Sequence, residues 1–132
     1  MTLYHVCPRW DGNDLVTLAD KINNGELTMR EACRQTAVRF DWSTNFRYED
    51  MEDSDWDDEV SGTAFCRYLD YEAGHVHCHA TESEAREWRD LYLPSADLLA
   101  IEADTLRVAS GEEYPHPVLE QSVDSALISL LN

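Results

Sequence analysis

Between Gly74 and Trp88 the sequence reads GHVHCHATESEAREW, and its side-chain period changes within a few residues. Residues 75–79 alternate imidazole with Val76 and Cys78, which is the period of two of a β-strand. His75, His77 and His79 then share one face, and Val76 and Cys78 share the other. From Thr81 the pattern turns helical. Thr81 and Glu84 have capping-box spacing, and Ala85, Trp88, Leu91 and Tyr92 fall on one face. A strand that feeds directly into a capped helix demands a core beside both, so the stretch constrains the whole chain.

The rest of the chain supplies partners for that unit. TLYHVC, residues 2–7, alternates β-favouring side chains up to Pro8 and reads as a strand. A helix capped by Asn13 or Asp14 follows, with Leu15, Leu18, Ala19 and Ile22 as its apolar stripe and Asn24-Gly25 as its stop. Thr28 and Glu31 cap a second helix carrying Ala32, Cys33, Ala37 and Phe40. TAFCRYLDY reads as a strand, and DLLAIEAD, residues 97–104, as a buried one. The closing SVDSALISLLN fits a helix or an edge strand equally well. Helices early, then strands with a helix between them, make an α+β pattern. At 132 residues, one domain spanning 1–132 is expected.

Charge narrows the function classes. The chain has 27 acidic and 10 basic residues, for a net charge of −17. Such a surface disfavours direct contact with nucleic acid or anionic lipid and suits either solubility or a basic partner. Residues 48–59, YEDMEDSDWDDE, carry eight of the acids in twelve positions, which predicts an exposed loop, with Met51 and Trp56 pinning it or awaiting a partner. No apolar run is long enough to span a bilayer, and MTLYHVCPRW lacks the regions of a signal peptide. Four dispersed cysteines without a CxxC suggest reduced thiols and a cytoplasmic setting.

The histidines admit three readings: a metal cage, one wall of a ligand cleft, or a core strand with satisfied imidazoles. A His-x-His pair on a strand is a genuine ligand geometry. No HExxH, CxxC or second His-x-His reinforces it, and His5 and His116 could add ligands only if folding brings them near. No structural metal is therefore expected.

The order of four motifs resembles the ADP-ribosyltransferase-like superfamily. LYHVCPRWDG is similar to its first strand, GHVHCHATESEAREW to its next strand and helix, and ADLLAIEADTLRV to its Leu/Ile-Asp strand. GEEYPHPVLEQSVDSALISL is similar to the closing segment, in which an acid precedes a Phe/Tyr-Pro-His tripeptide. An uncharacterised bacterial family of that superfamily shows the same succession, and the likeness covers residues 2–10 and 74–128. It implies split, bent antiparallel sheets with flanking helices around a nucleotide cleft, and NAD as the substrate cofactor. It carries His5 to the ribose or phosphate of NAD, His77 to the nicotinamide and Glu113 to the ribose hydroxyl and the oxocarbenium-like transition state. His79 and Tyr68 are alternatives for the central position, which is usually Tyr, and Arg9 would screen the cleft. Glu112 and Glu113 face opposite ways if extended, so one of them lines the cleft.

Two functions from different classes follow. One is an enzyme that cleaves the nicotinamide–ribose bond and transfers ADP-ribose to an acceptor. The other is a non-enzymatic acidic protein that mimics nucleic acid and occupies a basic protein partner through residues 48–59.

Overall fold

A computed structural model describes the chain apart from residues 72, 112 and 113, and apart from the side chains of residues 70, 71, 111, 114 and 115. It is an α+β protein whose chain divides into two compact units. Unit 1 comprises Met1–Thr17 and His75–Asn132, and unit 2 is the intervening Leu18–Gly74.

Unit 1 holds two three-stranded antiparallel sheets. In the first, β1 (Thr2–Cys7) pairs along its length with β3 (Asp97–Glu102), from Thr2 opposite Glu102 to Cys7 opposite Asp97. β6 (Ile128–Leu130) takes the other edge of β3. The continuous apolar run of β3 reflects that central place: Leu98, Leu99 and Ile101 are all fully buried. The closing segment thus resolves into a 3₁₀ turn, Ser125–Leu127, and an edge strand. In the second sheet, β5 (Tyr114–Leu119) lies between β2 (Val76–His77) and β4 (Val108–Gly111).

One core serves both sheets of this unit. Leu3, Val76, Cys78, Leu99, Ile101, Leu119, Val123 and Ile128 form it, with Leu15 and Trp10 packed against its margin. The helix α5 (Glu82–Tyr92) begins where expected, with the Glu84 N–H donating to Thr81 Oγ1 at 3.2 Å. It packs against β1 and β3. Its inner face differs from the expected one. Ala85 is buried and Trp88 half-buried, but Leu91 and Tyr92 are 69 % and 66 % exposed.

Unit 2 is helical: α1 (Leu18–Asn23), α2 (Met29–Phe40), α3 (Asp53–Val60) and α4 (Thr63–Tyr71), with a 3₁₀ turn at Tyr48–Asp50. Thr28 caps α2 by accepting from the Glu31 N–H. The first helix starts later than its apolar stripe predicts. Leu15 leaves the stripe because its N–H and C=O both pair with Val123, at 2.9 Å each, which fixes it as extended backbone in unit 1.

Two sequence expectations are corrected in unit 2. TAFCRYLDY is the helix α4, not a strand. Phe65, Tyr68 and Leu69 stand at helical spacing, and Phe65 is fully buried against Trp42 and Tyr68. Burial on a helical face overrides the β-preference of its aromatic residues. Residues 48–59 are not an exposed loop either. Trp56 is 4 % exposed, stacks on Tyr48 with ring centroids 6.0 Å apart, and belongs to the unit's core. The expected repulsion is relieved by a cation from α2. Arg30 grips Asp57 with two hydrogen bonds of 2.9 Å and reaches Asp53, one turn earlier, at 3.2 Å. Asp53 and Asp55 also sit in the first turn of α3, where the helix dipole favours negative charge.

Among the described residues, no helix is long and apolar enough to cross a membrane.

Candidate functional site

The imidazoles of unit 1 gather where the two sheets meet. Beyond His77 the strand β2 turns from β5 towards β1. The Cys78 N–H still donates to the Pro117 carbonyl, but His79 pairs with Tyr4 across two backbone hydrogen bonds, of 3.0 and 2.7 Å. Val76 and Cys78 lie in the core, so His77 projects to the opposite face. Burial pushes the Cys78 thiol up to about 12, which makes it a packing residue rather than a nucleophile.

His5 occupies the other face of this arrangement. On β1 it falls on the same side as Leu3 and Cys7, both of which pack into the core, whereas His77 projects away from its core residues. Its ring Nδ1 lies 2.6 Å from the backbone carbonyl of His77, not against the His77 ring. The expected facing of these two imidazoles across a shared cleft is therefore not built; the strand faces place them apart. His5 instead anchors the backbone from which His77 projects. Arg9, beyond the end of β1, is exposed.

His79 has the most distinctive surroundings. It is 9 % exposed and packs between Trp88 of α5, at 5.9 Å between ring centroids, and His116 of β5, at 4.8 Å. Its Nδ1 is buried and has no hydrogen-bond partner. A buried polar atom left in that state costs about 1–3 kcal/mol, so the arrangement calls for an explanation. Burial lowers the His79 pKa, the adjacent His116 lowers it further, and Glu84 opposes both. The ring is thus held neutral near pH 7.

Glu84 completes the group. The cap at Thr81 fixes the backbone of the first turn of α5, and so places Glu84 beside the two imidazoles. One ligand-capable atom from each of His79, Glu84 and His116 lies within 4.8 Å of the others. Spacing in the sequence does not announce this set. His116 was legible only as a residue that folding would have to bring near, and Glu84 only as a capping residue.

The remaining candidates divide. Tyr68 lies in unit 2, where its ring packs with Phe40, Trp42 and Phe65, and packing accounts for it. Glu113, the expected transition-state carboxylate, and its neighbour Glu112 lie outside the described residues.

No protein-family model matches the chain, and neither a curated protein nor a solved structure matches it.

Proposed function

We propose that unit 1 binds NAD or a related nucleotide on the imidazole-bearing face beside the Tyr4–His79 pair, as the resemblance to ADP-ribosyltransferase-like domains implies. The observation that supports this reading is the meeting of the first strand with the histidine strand. Two motifs more than seventy positions apart in the sequence become neighbours through the Tyr4–His79 hydrogen bonds. In this reading His77, exposed on that face, offers a flat ring and a donor to the nicotinamide end. His5 acts as a positioning residue through the His77 carbonyl. Arg9 offsets part of the charge of a dianionic cofactor, and Glu113 stabilises the positive sugar as the nicotinamide bond breaks.

Incubation with NAD tests this directly. Saturable binding by calorimetry, with nicotinamide release by chromatography, is the expected result. The absence of both binding and release would overturn it.

A second reading is favoured by one observation in unit 2. The carboxylates of α3 are held on a helix anchored by Trp56, and Asp53, Asp57 and Asp58 are exposed along it. An ordered row of this kind can imitate a phosphate backbone towards a basic protein. An arginine-rich peptide should then bind the protein in a salt-sensitive way, and joint neutralisation of Asp55, Asp57, Asp58 and Glu59 should abolish that binding.

A further inference from the structure

We propose that His79, His116 and Glu84 form a site for one divalent transition-metal ion of the zinc class, with a coordination position left open. The inference does not rest on the nucleotide reading. It stands on two independent observations: the convergence of one ligand atom from each of the three residues within 4.8 Å, and a buried ring nitrogen without a partner on one of them, His79.

The geometry suits the ion. Ligands held at about 2.0–2.2 Å around a tetrahedral zinc lie roughly 3.3–3.6 Å from one another. The three atoms need only close a modest gap to reach that spacing. His79 is the fixed member, since its backbone is tied to Tyr4 on both sides and its ring is wedged against Trp88. His116 and Glu84 are exposed, so their side-chain torsions can adjust. The ligands come from three different places in unit 1: the segment after β2, strand β5 and the first turn of α5.

The donor set selects the class of ion. Two imidazoles and one carboxylate suit zinc and its first-row neighbours, whereas magnesium and calcium favour all-oxygen shells. No thiol joins, because Cys78 points into the core. Three protein ligands, two of them exposed, leave room for water or a small anionic group, which is the pattern of reactive rather than closed structural sites.

The competing explanation is the field of a chain with net charge −17, which attracts any cation. The test must separate the two. Zn²⁺ is titrated into the purified, chelator-treated protein in millimolar Mg²⁺, which occupies scattered carboxylates. One equivalent should bind. His116→Ala and Glu84→Gln should each weaken it by at least about tenfold to a hundredfold, the scale reached even by loss of an outer-shell partner. Glu82→Gln removes the same charge two residues away and should leave affinity unchanged. In the wild type, the ring resonances of His79 and His116 should shift together at one equivalent of zinc. That measurement decides the matter even where a variant folds poorly. The proposal is overturned if no zinc binds, if both ligand variants bind as the wild type does, if Glu82→Gln weakens binding equally, or if the two ring signals do not move together.

Discussion

Tyr4 and His79 exchange both of their backbone hydrogen bonds, the Tyr4 N–H donating to the His79 carbonyl at 3.0 Å and the His79 N–H to the Tyr4 carbonyl at 2.7 Å. This pair ties the β1–β3–β6 sheet to the segment that follows β2, the strand paired with β5. It also fixes where the His79 ring must go. Because the tie is made by backbone alone, it survives changes of either side chain. The amides of Tyr4 and His79 should therefore exchange slowly and together, near the rate set by opening of the whole unit. Exchange of either amide at the rate of the exposed segments would show that the two sheets part independently.

Trp56 determines whether residues 48–59 fold. Its ring is 4 % exposed and lies in the core of unit 2, so Trp56→Ala should cost about 3–5 kcal/mol in a denaturant titration. A loss under about 1 kcal/mol would return the segment to the loop expected from its charge.

Thiol reactivity should follow burial. Cys66 is exposed and should be alkylated first in the native protein near pH 7.5. Cys7 is half-buried, and burial, with the charges of Asp97 and Asp11, raises its pKa against a lowering backbone hydrogen bond at Arg9. It should react more slowly. Cys33 is fully buried and its thiol is pushed up to about 11, and Cys78 is sealed in the other core. Both should stay unmodified until the protein unfolds, as mass mapping after timed alkylation will show.

Asp97 makes part of the stability depend on acid. It accepts from the Trp10 N–H at 2.9 Å and from the Asn132 side chain at 3.0 Å, and these bonds, aided by Arg9 and Arg89, hold its pKa below the ordinary value despite some burial. A depressed carboxylate stabilises the fold above its unfolded pKa, near 4, and that contribution is lost as pH falls through the lower folded value. Between about pH 5.5 and 3 the wild type should lose more stability than Asp97→Asn. Comparing the two by thermal melting cancels the general relief of negative repulsion. Parallel loss in both proteins would mean that Asp97 is not a titrating anchor.

Glu113 separates an enzyme from a binder. A carboxylate facing a developing oxocarbenium ion acts mainly in the transition state. If the proposed enzyme reading holds, Glu113→Gln should cut nicotinamide release by roughly 10²–10³-fold with little change in nucleotide affinity, while Glu112→Gln serves as the control. Full activity in both variants would move catalysis to another residue.

The sequence by itself determined what depends on neighbours along the chain. The alternation of TLYHVC, the apolar run DLLAIE and the two threonine caps at Thr28 and Thr81 each appear in the structure at the expected positions. The α+β class follows from their order. Tertiary structure decided whatever depends on a distant partner. Arg30 reaching Asp53 and Asp57 turned an acidic run into a helix, and Val123 drew Leu15 out of the first helix. The site divides in the same way. That His77 points away from Val76 and Cys78 was legible from a period of two, but that His79 is buried beside His116 and Glu84 was not. Local periodicity sets which way a side chain points from its own strand. What it meets there is set by strand pairing and helix packing between segments far apart in the chain.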